Sequence, residues 1–344
     1  MVSLRRHRRA RPLFIGLGGT GVIGRALVDL LDQRGMDYVS LSLSPDSQGE
    51  GGLANYCIDF DQATFSQTSK CLEAFEGYDV VGVIDIIGVK SEPANAVAAF
   101  VKRLDIPVAT ISSCLLYDHN GTNGVDERHP TLPLSSNQHH YIRTKLLQEN
   151  FWRAQSCDWV LIRTHHILGR GSLLGCIPAH NRDSTLLEKL KDDASLALAH
   201  RGLVKVSYVH PADLAAVAVE LLLQRIDLKR VVNIVHPSSV LARDYYAMVA
   251  TEIGAVFQEP LDFEIDPADF WSATARDNIY ISNHPIVRNF VFANDIKACI
   301  RAACSISPDE YAQLGAFMQR RITGDHATQS ASFSPVQNAK PHTR

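Results

Sequence analysis

The chain has 344 residues, a formal net charge of −3 and a hydrophobic fraction of 46%. This length allows one large domain or two closely joined ones. The near-neutral charge and the ordinary composition do not point to a nucleic acid or a membrane surface as a partner. No apolar run reaches the roughly 18 residues that a transmembrane helix needs.

The cysteines and the chain ends bear on where the protein works. The seven cysteines form no CxxC pair, which favours reduced thiols in a cytoplasmic protein. The basic arm at Arg5–Arg11 is followed by a glycine-rich stretch and not by a signal-peptide cleavage site, so we expect no export. We predict that residues 1–11 and 324–344 are flexible tails, because they lack a periodic apolar pattern.

A glycine-rich turn near the start of the chain is the first informative motif. The apolar run Leu13–Ile15 is followed by Gly18, Gly21 and Gly24 at GxxGxxG spacing. Apolar residues then recur at helical spacing as far as Leu31. A strand, a tight glycine turn and a helix in this order predict a dinucleotide site, with the helix amino terminus facing the phosphates.

Alternating strands and helices continue beyond the turn. We expect strands at residues 38–43, 56–58, 79–88 and 107–113, and a helix at 93–104. This alternation predicts a doubly wound parallel sheet of the α/β class with right-handed crossovers. The strand at 79–88 is apolar enough to be central, but it contains Asp85, which is either a structural acceptor or a residue at the open carboxyl edge.

Two positions leave the cofactor contacts open. The second strand ends in Ser42 and Ser44, without the acidic residue that selects NAD or the basic one that accommodates NADP. NAD and NADP therefore both stay open, and Arg25 is either a cation for the extra phosphate or an exposed helix residue. Asp59, after the third strand, either accepts a hydrogen bond from adenine or caps a helix that begins near Gln62.

A serine, a tyrosine and a lysine form the candidate catalytic set. The fifth strand ends in Ser113, and a YxxxK motif follows at Tyr141 and Lys145. Residues four apart share a helix face, so these two side chains point the same way. A short motif alone carries a high false-positive risk, but its place after a glycine turn and a serine-ended strand makes it informative.

In this order the motifs resemble the extended short-chain dehydrogenase/reductase family, the NAD-dependent epimerase/dehydratase group. The similarity covers about residues 12–300. It is carried by the glycine turn, by DF at Asp59–Phe60, SSxxxY at Ser112–Tyr117 and YxxxK at Tyr141–Lys145, and by segments at 161–169, 209–215, 232–234 and 292–297.

The resemblance implies a role for each matching residue. Tyr141 would be the general acid/base, Lys145 would lower the pKa of its phenol and hold the ribose, and Ser113 would bond the substrate oxygen. The implied cofactor is NAD(P). The implied cofactor-binding residues are Gly18, Thr20, Gly21, Val22, Ile23, Gly24, Ser42, Ser44, Asp59, Phe60, Ile87, Gly88, Tyr141, Lys145, Thr164 and His166.

The substrate contacts expected from the resemblance are Ser113, Cys114, His166 and Trp271. His166 either contacts substrate phosphates or fills a polar pocket wall. The scattered histidines lack the spacing of a zinc site, so we expect no metal. Where 4,6-dehydratases of the family carry Thr-Asp-Glu, this chain has Ser113-Cys114-Leu115, so we expect no 4,6-dehydratase activity.

The domain prediction follows from the same resemblance. We predict a Rossmann dinucleotide-binding domain at residues 12–169 with 203–236, and a smaller substrate-binding lobe at 170–202 with 237–323. The implied function is an NAD(P)-dependent oxidoreductase or epimerase, with hydride transfer at a secondary alcohol or ketone carbon of a sugar nucleotide or related metabolite. The implied assembly is a homodimer.

A second class of function also stays open. The fold could serve a dinucleotide-sensing or RNA-binding protein without turnover. The arginine arm and the segment at 292–297 motivate this alternative, and the complete Ser-Tyr-Lys set favours the enzyme.

Overall fold

The computed structural model describes residues 12–43, 54–119, 124–135, 139–172, 174, 185–262, 276–307 and 310. Its main feature is a seven-stranded sheet in which all neighbouring strands are parallel. The strands are β1 (Leu13–Leu17), β2 (Asp37–Ser42), β3 (Ala54–Cys57), β4 (Val80–Asp85), β5 (Val108–Ser113), β6 (Trp159–Thr164) and β10 (Arg230–Asn233). The predicted doubly wound α/β fold is confirmed.

The order of the strands sets the position of the site. From one edge to the other the order is β10, β6, β5, β4, β1, β2, β3. The chain therefore starts in the middle of the sheet and builds outward in both directions. In such sheets ligands bind outside the carboxyl ends of the strands, where the winding direction reverses. In this fold that crevice lies between the ends of β1 and β4.

Helices cover both faces of this sheet, and alternate residues of each strand face opposite sides. In β1, Ile15 belongs to one apolar core and Phe14 to the other. On the first face pack α2 (Phe65–Glu73), α3 (Ser91–Leu104) and α4 (His140–Arg153); on the second pack α1 (Val22–Gln33), α6 (Pro211–Gln224) and α8 (Pro285–Asn289). Strands buried on both faces explain the continuous apolar runs in the sequence.

A third, smaller core lies beyond the sheet. It is formed by α5 (Leu186–Lys191), α7 (Ala242–Glu252) and α9 (Ile296–Cys304). Two small sheets accompany these helices: β7 (His166–Ile167), β9 (Lys205–Val209) and β11 (Ser239–Leu241) form one, and β8 (Ala197–Leu198) and β12 (Leu261–Asp262) the other. Strand β9 connects this smaller core to the core on the α1 face of the main sheet. Val206 packs in the smaller core and Val209 packs in the core of that face.

None of the helices within the described residues is both long and apolar enough to span a membrane. The predicted tails, the arginine arm, Ser44 and Trp271 lie outside the described residues.

Candidate functional site

The glycine turn between β1 and α1 is shaped for close backbone approach. Gly18 has φ +101°, which L side chains rarely adopt. A Cβ on Gly24 would lie 2.5 Å from the Cα of Gly19, so only glycine lets the helix pack on the turn. Around Gly21, by contrast, a Cβ would meet no heavy atom within 4 Å. Two glycines therefore build the turn and the third borders open space.

The amino terminus of α1 faces that open space. Gly21 is the N-cap residue, it makes no side-chain cap hydrogen bond, and the first turn contains no acidic residue. The first N–H groups of a helix need an acceptor and carry a partial positive charge. A terminus of this kind, at the sheet's switch point, fits the pyrophosphate of a dinucleotide. Thr20, Val22 and Ile23 are half-buried around it.

The end of β2 carries the residues expected to meet the adenosine ribose. Ser42 is buried and the following Leu43 is 66% exposed. Among the described residues of this strand end, neither a carboxylate nor a cation marks a preference between NAD and NADP. Arg25 lies beside the loop after β7, where a Cβ on Gly171 would be 3.1 Å from its Nη2.

The Asp59–Phe60 pair lies directly after β3. Asp59 Oδ1 accepts a hydrogen bond from the N–H of Asp61 at 3.0 Å and so closes a turn. The helix-cap alternative for Asp59 is wrong, because α2 begins at Phe65 with Thr64 as its N-cap in a capping box. Phe60 packs into the core of the sheet. Contact between Asp59 and adenine stays a prediction.

Asp85 is the last residue of β4. It is therefore at the carboxyl edge of the sheet, and it is also a structural acceptor, so both interpretations from the sequence hold. Its side chain is fully buried, and Oδ1 accepts the N–H of Gly88 at 2.8 Å. Oδ2 accepts the N–H of Val89 at 3.1 Å. Burial raises the pKa of this carboxyl group, while the charge of Lys145 and these N–H groups favour its ionised form. The carboxylate thereby fixes the loop after β4, in which Ile87 packs against Gly18.

Ser113 ends β5 next to Thr164 at the end of β6. Its Oγ accepts the N–H of Leu115 at 3.2 Å and so caps a short 3-10 turn. This contact uses the hydroxyl oxygen as an acceptor and does not use its proton. Ser113 and Thr164 are both 4% exposed.

Helix α4 carries the tyrosine and the lysine on one face. His139 caps the helix by accepting the N–H of Tyr141 through Nδ1 at 3.2 Å. The Tyr141 ring is half-buried and packs against the short cluster that contains Leu116. Lys145 Nζ donates to the carbonyl oxygen of Ile111 on β5 at 2.7 Å. This bond anchors the ammonium group near the carboxyl end of β5.

The sequence profile of the NAD dependent epimerase/dehydratase family matches residues 17–234, which is more than half of the chain. The chain belongs to this family. The match spans the glycine turn, the serine-ended strand β5 and the YxxxK helix. Its members use a nicotinamide dinucleotide, which is the cofactor class that the turn fits. No curated protein sequence matches the chain significantly.

Solved structures of this family share the fold at low sequence identity. WbmH from Bordetella bronchiseptica, in complex with NAD+, has a TM-score of 0.64 at 15% identity, covering 86% of this chain and 97% of that one. UDP-glucuronic acid 4-epimerase from Bacillus cereus, with NAD, has 0.63 at 15%, covering 88% and 99%. dTDP-glucose 4,6-dehydratase from Bacillus anthracis, with NAD, has 0.61 at 12%, covering 88% and 97%.

A buried ion pair braces helix α4 against the sheet. Arg163 on β6 donates to both Glu149 oxygens, through Nε at 2.8 Å and Nη2 at 2.6 Å. Ser112 Oγ donates to the same carboxylate at 2.7 Å. The guanidinium group also lies 4.4 Å from the centre of the Tyr117 ring. These contacts fix α4, and with it Tyr141, relative to β5 and β6.

The structure shows the surroundings of two predicted substrate contacts, Cys114 and His166. Cys114 is fully buried in an apolar cluster, and burial raises the pKa of its thiol well above its usual range. The buried Cys114 thiol therefore does not match the predicted substrate contact. His166 is half-buried on β7, with its ring 4.2 Å from the ring of His165.

Sequence reasoning missed an aromatic and imidazole cluster beside these histidines. Tyr280 stacks on Tyr117 at 5.9 Å and contacts the rings of His119 at 5.6 Å and His165 at 5.1 Å. Its hydroxyl donates to Asn278 and lies 3.2 Å from His119 Nε2. Burial lowers the pKa of both histidines to about 4, so both are neutral near pH 7. No local pattern marks Tyr280, because its partners are distant in sequence.

Arg276 was also missed as an individual residue. Burial and then the charge of Arg276 lower the pKa of His119, whereas burial raises the pKa of Tyr280 and the charge of Arg276 partly opposes that rise. Its Nε is buried and has no hydrogen-bond partner among the described residues. A guanidinium N–H without an acceptor is costly to bury. Within the described part of the chain, no group of three or more His, Cys, Asp or Glu residues is placed to hold a metal ion.

Proposed function

We propose that the protein is an NAD(P)-dependent oxidoreductase or epimerase that acts at a secondary alcohol or ketone carbon of a sugar nucleotide or related metabolite. The observation that supports this most is the placement of Tyr141 and Lys145 on one face of α4. The Lys145 ammonium group is anchored at the carboxyl end of β5, where Ser113 ends the strand. The adjoining glycine turn fits a dinucleotide.

Three residues carry the proposed chemistry. Tyr141 exchanges a proton with the substrate oxygen, and Ser113 donates a hydrogen bond to the same oxygen. An ordinary tyrosine has a pKa near 10, so a base at neutral pH needs a drop of about 3 units, or ~4 kcal/mol. The positive charge of Lys145 on the same helix face supplies much of it. A nicotinamide held over the glycine turn would supply the hydride chemistry.

The proposed cofactor contacts combine the turn with the neighbouring strand ends. Gly18 to Gly24 and the first turn of α1 would hold the pyrophosphate. Ile87 and Gly88 would line the ribose after β4, and Thr164 and His166 would meet the nicotinamide end. Asp59 would accept from adenine. Lys145, besides acting on Tyr141, would donate to the ribose hydroxyl groups.

An anionic substrate is favoured by Arg276. Its unpartnered Nε beside neutral His119 provides a cation for a diphosphate or carboxylate group. The relatives named above include an epimerase of UDP-glucuronic acid, a substrate with both groups. We do not propose a 4,6-dehydratase reaction, because Cys114 and Leu115 stand where its acid and base would be needed.

Mass spectrometry of the small molecules that co-purify with the protein tests this proposal. An epimerase should retain its dinucleotide and, with the identified sugar nucleotide, show no net change in nicotinamide absorbance. A reductase should release the cofactor and consume reduced nicotinamide. A protein that neither co-purifies with a nicotinamide dinucleotide nor binds one added in solution would contradict the proposal.

We also propose a homodimer formed through the outer surfaces of α3 and α4. Leu147 on α4 is 47% exposed, which supports this surface. Light scattering with Leu147→Glu tests it: we expect the dimer to dissociate in the variant. A wild-type protein that is monomeric at micromolar concentration would contradict this assembly.

A further inference from the structure

A chain of hydrogen bonds connects the end of β4 to the proposed catalytic lysine. Gln148 lies on α4 three residues after Lys145 and is 4% exposed. Its Oε1 accepts from Lys145 Nζ at 3.1 Å. Its Nε2 donates to Oδ2 of the fully buried Asp85 at 3.5 Å. Asp85 stands 63 residues earlier, so only the fold brings these three side chains together.

The orientation of the Gln148 amide follows from its two neighbours. An ammonium group can only donate hydrogen bonds, and both oxygens of Asp85 already accept N–H groups of the following loop. The amide oxygen must therefore face Lys145 and the amide nitrogen must face Asp85, as the structure has them. The Gln148 amide has an acceptor and a donor, and so it suits a position between the Lys145 ammonium group and the Asp85 carboxyl group.

Asp85 and Gln148 also hold the loop after β4. Asp85 accepts the N–H groups of Gly88 and Val89, at 2.8 and 3.1 Å. Gly88 has φ +78°, and a Cβ there would lie 2.7 Å from Gln148 Oε1. The backbone of this loop therefore packs directly on the amide that binds Lys145. This loop contains Ile87 and Gly88, the proposed cofactor contacts.

We propose that Gln148 and Asp85 are positioning residues that hold the Lys145 ammonium group in place beside Tyr141 and couple that place to the cofactor loop. The inference rests on the proposed function, in which Lys145 acts on Tyr141. The carbonyl oxygen of Ile111 and the amide of Gln148 both hold the Lys145 ammonium group. Loss of the Gln148 amide removes one of these contacts and so loosens the position of the ammonium group.

The expected consequence is a change in the acidity of Tyr141. A cation lowers a phenol pKa by an amount that falls steeply with distance. The charged or titratable groups on α4 or packed against it include Asp85, His139, His140, Arg143 and Glu149, which pairs with Arg163. Gln148→Met leaves all of these groups in the protein and removes the contacts of the amide with Lys145 and Asp85.

The test titrates Tyr141 directly in the full-length protein, without substrate. The ultraviolet absorbance of tyrosinate is followed against pH, and the curve of the same protein with Tyr141→Phe is subtracted. Gln148→Met removes both hydrogen bonds at similar length, and Gln148→Glu keeps the shape but places a carboxylate against Lys145. Gln155→Met is the matched control, since the Gln155 side chain donates a hydrogen bond to the Phe151 carbonyl oxygen. Circular dichroism and thermal melting check folding.

We expect the pKa of Tyr141 to rise by about 1 unit in both Gln148 variants, and not in Gln155→Met. NAD affinity should fall a few-fold in Gln148→Met, because the loop loses its support. A lowered wild-type pKa that both Gln148 variants leave unchanged would overturn this inference alone. An ordinary pKa near 10 in the wild type would overturn the role of Tyr141, and this inference with it. Failure of both variants to fold would show a purely structural role.

Discussion

The buried pair of Glu149 and Arg163 permits a quantitative prediction of stability. Glu149→Gln removes the negative charge and keeps the size of the side chain. Arg163 is 1% exposed and Glu149 3% exposed in their side chains, so water cannot replace the lost charge. Breaking a buried ion pair on one side costs about 3–5 kcal/mol. We therefore expect the free energy of unfolding to fall by about 3 kcal/mol or more.

Urea denaturation at neutral pH measures this loss, and Glu220→Gln is the matched control. Glu220 pairs with Arg34 at 2.7 Å, but its side chain and that of Arg34 are 26% and 30% exposed. Exposed pairs contribute about 1 kcal/mol at most. A loss in Glu149→Gln no larger than in Glu220→Gln would refute the reasoning, because it would show that the buried pair is solvated like a surface one.

The pH dependence of the same difference gives a second check. Burial raises the pKa of Glu149, but the hydrogen bonds and charge of Arg163 outweigh it, and the net pKa is lowered. A carboxyl group with a lowered folded-state pKa stabilises the fold above its unfolded pKa, and this contribution disappears as pH falls through the folded-state value. The gap between wild type and Glu149→Gln should therefore shrink in acid. A gap that is independent of pH would contradict this assignment.

Four further predictions concern the glycine turn and the binding of ligands. Gly21→Ala should fold normally, because its Cβ meets no heavy atom within 4 Å, yet its dinucleotide affinity by calorimetry should fall by roughly tenfold, about 1.4 kcal/mol. Gly24→Ala should unfold at lower temperature, because its Cβ would lie 2.5 Å from backbone; equal melting of both variants would contradict this. Arg276→Met should raise the KM for an anionic substrate at least tenfold, with kcat nearly unchanged; an unchanged KM would remove Arg276 from the site. Deletion of residues 1–11 should leave RNA retention in filter binding unchanged; salt-sensitive, arm-dependent binding would favour the RNA-binding alternative.

The sequence predicted the features that depend on neighbouring residues. The turn around Gly18 and Gly24 is a local steric requirement, so spacing alone revealed it. The apolar runs of β1, β4 and β5 reflect burial on both faces of a parallel sheet, which any such strand shows. The shared face of Tyr141 and Lys145 follows from helix geometry. These predictions needed no knowledge of which strands become neighbours.

The features that the sequence could not predict depend on contacts between distant segments. Tyr280 meets His119 across 161 residues, and Gln148 meets Asp85 across 63. Asp85 allowed two interpretations from sequence because its partners, the N–H groups of the following loop, depend on how that loop folds. Cys114 was expected to reach substrate, but the 3-10 turn after β5 directs its thiol into the core.

The central claim is that Tyr141 is the acid/base beside a nicotinamide bound over the glycine turn. The most direct measurement compares wild type with Tyr141→Phe for turnover of the co-purifying sugar nucleotide and, in parallel, for NAD(P) affinity by calorimetry. In Tyr141→Phe we expect a loss of turnover of about 10²–10⁴-fold with nearly unchanged cofactor affinity. Full turnover in Tyr141→Phe would contradict it.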